Sequence, residues 1–158
     1  VHGLTFLPLL AERLFAVGAR HGEGPGRQIT LRDLANMDLV LARPYNVVRK
    51  LVDEAFAGAG LAPRVIAEIE SAGTLMAVIA NGLGATVLPG SMAKKITTSC
   101  EAWLAAIVDP IIEAPLALCQ SDHLPLSEPA QAVKEILMDL AIALPGSLLA
   151  PQKRARRP

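Results

Sequence analysis

"SAGTLMAVIANGLGATVLPGS", Ser71 to Ser91, is the stretch on which the fold turns. Gly82, Gly84 and Gly90 lie close together, with Asn81 before them and Ser91 behind, and invite comparison with a phosphate-binding loop. A dinucleotide fingerprint runs strand, then GxGxxG, then the start of a helix, so that free N–H groups face the phosphate. Here the order is reversed. Ser71 is suited to cap an apolar helix that Asn81-Gly82 closes, and "ATVLP" then reads as a short buried strand. The helix end nearest the glycines presents carbonyls, which repel anions. No Gly-Lys-Ser/Thr follows, so the order of elements argues against a nucleotide cradle. Gly82 is expected as a left-handed C-cap residue, and Gly84 as room for the turn into the strand.

The same region carries no charge from Ser71 to Ala93 and has the length of a membrane span. Asn81, Gly82, Gly84, Pro89 and Gly90 interrupt it, and it divides into a helix and a strand. These breaks argue against a span.

Helix followed by strand recurs on both sides. Upstream, "LTFLPLLAERLFAVGA" reads as one long or two short extended segments, and residues 19 to 28 as an exposed Gly/Pro-rich loop. Thr30, with Asp33 three positions on, begins a short helix that stops by Asn36, and "DLVLA" is a buried strand. Val47, Val48, Leu51, Val52, Ala55 and Phe56 recur at helical spacing until Gly58 to Gly60 end the run. "RVIAEIE" is a strand leading back to Ser71. Downstream, "GSMAKKI" starts a further helical turn, and "TTSCEAWLAAIVDPIIEAPLALCQS" reads as two strands around Asp109-Pro110. The last helix has Ser127 as its N-cap, Pro129 in its first turn, and a stripe of Ala132, Val133, Ile136, Leu137, Leu140 and Leu144. Alternating strands and helices imply an α/β protein with a mainly parallel sheet.

Composition narrows the function classes. Of 158 residues 52% are hydrophobic and 19% charged, which suits a packed globular protein. Aromatics make up only 3%, so stacking of bases or sugars has little to work with. Lysine plus arginine and aspartate plus glutamate both number 15, and nothing global points to nucleic acid or anionic membranes. The one asymmetry is the basic end, Lys153, Arg154, Arg156 and Arg157, expected as a disordered tail over 151–158. Cys100 and Cys119 form neither a CxxC pair nor a disulfide framework, which fits a reduced, cytoplasmic protein. The first residues lack a basic n-region and meet Glu12 and Arg13 early, unlike a secretion signal. A start at Val1 without Met leads us to expect a fragment of a longer protein.

Three helix starts attract attention as a binding edge. Arg43, Tyr45 and Asn46 precede one helix, Ser71 and Thr74 begin another, and Gly90 and Ser91 follow Pro89 at a third. Each follows a strand, at the carboxyl edge where open α/β sheets bind ligands. Exposed N–H groups beside hydroxyl and amide side chains there suit a small anion, and Arg43 adds a positive charge. Plain capping without a ligand accounts for the same residues. "LCQSDHLPLS" gathers Cys119, Ser121, Asp122 and His123 on one loop, whereas nucleophilic catalysis needs such groups converging from separate positions. His2 and His21 look like surface residues. Three histidines and two scattered cysteines make no metal site. No catalytic residue, metal or cofactor is expected.

Four blocks, in order, are similar to one family: "LPLLAERLFAVG", "ITLRDLANMDLVLARPYNVVRKLVDEAFAGAGLAPRVIAEIES", "TLMAVIANGLGATVLPGS" and "PLALCQSDHLPLSEPAQAVKEIL". Together they resemble the effector-binding domain of LysR-type transcriptional regulators, in particular the nitrogen assimilation control branch, across about 140 of the 158 residues. The resemblance implies a two-lobed α/β domain of the periplasmic-binding-protein-like (type 2) kind, spanning residues 1–150. Lobe II would be complete over about 12–107 and lobe I partial, its return being 108–150. It further implies a small, possibly anionic effector in the interlobe cleft, bordered by Arg43, Tyr45, Asn46, Ser71, Thr74, Pro89, Gly90 and Ser91. Self-assembly as a dimer or tetramer is implied too, with the helix Val47–Phe56 or the C-terminal helix supplying a face. DNA would be met only through a winged helix-turn-helix absent from these residues, as is the first part of lobe I. A solute-binding protein of transport shares the architecture and is the competing reading; a small α/β enzyme is the third.

Overall fold

The computed structural model describes residues 3–20 and 24–143. The expected tail 151–158, the end of the stripe at Leu144, and His2 and His21 lie outside the described residues. Among the described residues seven strands and five helices follow in the order β1 (Leu4–Ala19), β2 (Gln28–Thr30), α1 (Leu31–Ala35), β3 (Leu39–Leu41), α2 (Val47–Gly58), β4 (Val65–Glu68), α3 (Ala72–Ala80), β5 (Ala85–Pro89), α4 (Gly90–Ser99), β6 (Ala102–Val108), β7 (Glu113–Ser121) and α5 (Glu128–Ala143). The chain divides into two compact units, one of Arg13–Ala114 and one of Val1–Glu12 with Pro115–Pro158.

In the larger unit the strands run β2-β6-β1-β5-β3-β4. Leu14, Phe15, Ala16 and Val17 of β1 are all buried, as are Ala85 to Leu88 of β5 and Leu39 to Leu41 of β3. Such unbroken apolar runs mark strands covered on both faces. Phe56 and Val52 of α2, Leu34 of α1 and Ile107 of β6 are also buried, and with β1, β3 and β5 they form one core cluster. Trp103 of β6 lies opposite Gly18 of β1. A Cβ on Gly18 would come within 2.4 Å of the Trp103 ring, so only glycine lets the indole lie on the strand.

Local signals act where they were expected. Thr30 caps α1, its Oγ1 accepting from the Asp33 amide at 3.2 Å and donating to Asp33 Oδ2 at 2.7 Å. Ser71 caps α3, and Gly82 takes φ +69° beyond its end. "LTFLPLLAERLFAVGA" is one continuous strand rather than two.

Three readings need correction. The sheet is mixed rather than mainly parallel. β1 runs antiparallel to both β5 and β6, whereas β2·β6, β3·β4 and β3·β5 are parallel. A doubly covered strand has the same apolar run in either direction, so sequence pattern does not carry the orientation of β1. Gln28–Thr30, placed in the loop and the helix cap, also form the short strand β2 on β6. Helix α4 continues through "TTS", which reads as strand by composition. The Thr97 and Thr98 hydroxyls donate back to Lys94 O at 3.0 and 2.8 Å, and Ser99 to Lys95 O at 3.0 Å, so these hydroxyls find partners within the helix.

The smaller unit holds the first part of β1, the later part of β7, and α5. β7 pairs with β1. The Asp122 amide donates to Gly3 O at 3.0 Å, and Thr5 Oγ1 bonds to Asp122 Oδ1. Ser127 begins α5, accepting from the Ala130 amide at 3.4 Å, and Lys134 Nζ reaches Gln120 of β7 at 3.0 Å. No described residue of this unit is buried, and the α5 stripe of Val133, Ile136, Leu137 and Leu140 is exposed.

Candidate ligand pocket

Strands β3, β4 and β5 point the same way, so the loops leaving Leu41 and Glu68 and the direct strand-to-helix junction at Pro89 gather at one edge of the larger unit. Each strand end leads into a helix. Asn46 Oδ1 accepts the Val48 amide at 2.9 Å and caps α2, while Ser71 Oγ accepts the Thr74 amide at a looser 3.4 Å. Pro89 precedes α4 and provides no side-chain cap.

Two residues tie these loops together. Arg49 of α2, whose side chain is 11% exposed, donates to the Ala42 carbonyl at 2.8 Å, to Glu68 at 3.0 Å and to Asp53 at 2.9 Å. Burial alone would lower its pKa. The hydrogen bonds and charges of Asp53 and Glu68 outweigh that and raise it above the ordinary arginine value, so the guanidinium stays charged. Glu70, from the loop after β4, accepts the Arg43 amide on Oε1 at 2.8 Å and links the first two loops. The Ile69 amide, donating to Leu41 O at 2.9 Å, extends the same seam.

A cavity of about 200 Å³ lies at this edge. Its walls are mostly apolar, from Val48, Ile69, Leu75, Leu88 and Met92. Asn46, Glu70 and Thr86 are the polar residues of its lining. Thr86 is the one buried polar residue among the described residues. A small concave site with apolar walls and few polar groups has the character of a ligand pocket.

Of the eight residues expected at a site, Asn46 and Pro89 line this cavity. Arg43 contributes its backbone amide to the Glu70 contact, and its side chain does not line the space. Tyr45 is 64% exposed, Ser71 and Thr74 are exposed in the first turn of α3, Gly90 is buried, and Ser91 is exposed at the start of α4. Val48, Ile69, Glu70, Leu75, Thr86 and Met92 line the cavity without having been singled out. Thr86 carried a signal, being the polar residue inside the apolar strand "ATVLP". Glu70 carried none beyond standing next to the Ser71 cap.

"LCQSDHLPLS", expected as one loop, belongs to the smaller unit and divides there: Leu118 to Ser121 end β7, and the loop begins at Asp122. Ser121 Oγ accepts the His123 amide at 3.2 Å, and Asp122 is engaged by Thr5, so the hydroxyl and carboxylate serve the loop itself. A broader depression of about 920 Å³ runs past this loop to α5, and none of its walls is buried. No group of three or more potential metal ligands occurs among the described residues. No described helix is long and apolar enough to cross a membrane.

Comparison with known proteins agrees with this architecture. The LysR substrate binding domain family matches residues 1–141. The nitrogen assimilation regulatory protein nac of Klebsiella aerogenes is 45% identical over 140 residues, covering 89% of this chain and 45% of that protein. Its counterpart from Escherichia coli (strain K12) is 40% identical over the same length and with the same coverage. The chain thus spans about half the length of the curated relatives it matches. Among solved structures, the effector binding domain of QuiR in complex with shikimate superposes with a TM-score of 0.74 at 19% identity, over 89% of this chain and 66% of that one. That likeness is one of fold. The matched relatives are regulators, which favours the regulator reading over a solute-binding protein of transport. By the family match and by these relatives, the chain belongs to the LysR substrate binding domain family.

Proposed function

We propose that this chain is the effector-sensing domain of a LysR-type transcriptional regulator, with Arg13–Ala114 as lobe II and the remaining residues as the return into lobe I. The observation that carries the ligand assignment is the cavity where three parallel strands end at helix starts, with a mostly apolar lining that includes the buried Thr86. QuiR holds shikimate, and from it we carry over only that the ligand is a small molecule. The domain works without catalysis, in the cytoplasm, and its DNA contact is made by parts of the regulator beyond these residues. An effector acts by binding one arrangement of the regulator better than another and shifting the population toward it. Self-association fits the exposed stripe of Val133, Ile136, Leu137 and Leu140 on α5.

The test is a thermal-shift screen of small metabolites on the full chain, repeated on Ala72→Trp. Ala72 lines the cavity at the exposed first position of α3, so the indole fills the space without disturbing the core. Compounds that raise the melting temperature of the parent chain are expected to lose that effect in the variant. Equal shifts in both proteins would remove the cavity as the effector site.

A further inference from the structure

We infer that Glu70 sets the charge preference of the cavity, so that it admits a small ligand bearing an ammonium group on an apolar body and disfavours a carboxylate. The inference rests on the proposed function, since it concerns the same cavity. Glu70 is the one ionisable residue lining the space, and no lysine, arginine or histidine joins it. Its Oε1 accepts the Arg43 amide at 2.8 Å, which holds the carboxylate at the solvent-exposed rim of the cavity.

Neither nearby arginine lines the cavity, and the exposed Arg43 meets Glu70 through its backbone amide. Arg49 is engaged by Asp53, Glu68 and the Ala42 carbonyl and is not among the lining residues. Helix starts pull the other way, because their free N–H groups favour anions. One amide at each of α2 and α3 is already taken, that of Val48 by Asn46 and that of Thr74 by Ser71. α4 has no side-chain cap, and each helix start carries up to roughly half a positive charge spread over several amides, whereas Glu70 places a full negative charge at one point of the lining. The rest of the lining is mostly apolar, so a cation can pair with the carboxylate at the rim and bury its hydrocarbon part within the cavity.

Three probes of one shape separate the contributions at neutral pH: isoamylamine, isoamyl alcohol and isovalerate, charged positive, neutral and negative. Saturation-transfer NMR titrations on the full chain are expected to rank them in that order, with the amine about tenfold tighter than the carboxylate. Glu70→Gln keeps an oxygen for the Arg43 amide and removes the charge, so it should bring the amine down to the alcohol. An unchanged amine preference in Glu70→Gln, or isovalerate binding as tightly as the amine to the parent chain, overturns the inference. Ala72→Trp tells the two failures apart. If it abolishes binding while the carboxylate is preferred, the pocket stands and the role of Glu70 falls. If it leaves binding unchanged, or no probe binds at millimolar concentration, both fall.

Discussion

The two units of this chain use their apolar sequence in opposite ways. In Arg13–Ala114 the helices α2 and α3 bury Val52, Phe56, Leu75 and Ile79 against the sheet. In the smaller unit α5 carries Val133, Ile136, Leu137 and Leu140 at the same helical spacing and buries none of them. Amphipathic pattern therefore reports which face of a helix wants cover, and says nothing about whether the cover is there. The energetic consequence is uneven, because burial rather than apolarity stabilises a fold.

Core truncation gives the widest separation between the units. Phe56→Ala, at a residue 1% exposed, should cost about 3–5 kcal/mol, read from the denaturant midpoint at unchanged slope. Ile136→Ala, at 58% exposure, should cost less than about 1 kcal/mol. A loss at Ile136 that matched the one at Phe56 would break the contrast, by showing the α5 face covered in solution.

Next in size is Gly18→Ala, whose methyl meets the Trp103 ring at 2.4 Å; a loss of about 1–3 kcal/mol is expected. Trp103→Leu in the same chain should recover part of that loss. Additive effects in the double-mutant cycle would show that the indole is not what Gly18 accommodates.

The smallest effect compares one device in both units. Asn46→Ala removes a 2.9 Å cap from α2 and should cost about 1 kcal/mol, whereas Ser127→Ala removes a 3.4 Å one from α5 and should cost about half as much. Thermal midpoints for the two variants check the ranking. If Ser127→Ala proved the more damaging, α5 would depend on its cap because packing supports it so little, which would sharpen the comparison rather than preserve it.

Legibility followed the range of the interactions. Thr30, Ser71 and Gly82 could be read because a cap bond closes within three residues and a left-handed turn needs one. Most elements were delimited in the same way, and the regulator family was recognisable from blocks in sequence order. The site was only partly legible. Asn46 and Pro89 reached the cavity, whereas Ser71 and Thr74 are occupied with each other at the surface. Arg43 drew attention for its charge, yet its backbone amide is what meets Glu70.

By itself, then, the sequence determined the helices, their caps, the buried strands and the family, all of which rest on contacts within a few residues or on ordered blocks. Tertiary structure alone decided the antiparallel setting of β1, the pairing of β2 with β6, and the contact of Glu70 with a loop 27 residues away. It also decided that one apolar helix is covered and another is not. Those outcomes depend on which surfaces the folded chain brings together, and a side chain carries no local mark of a partner so far along the chain.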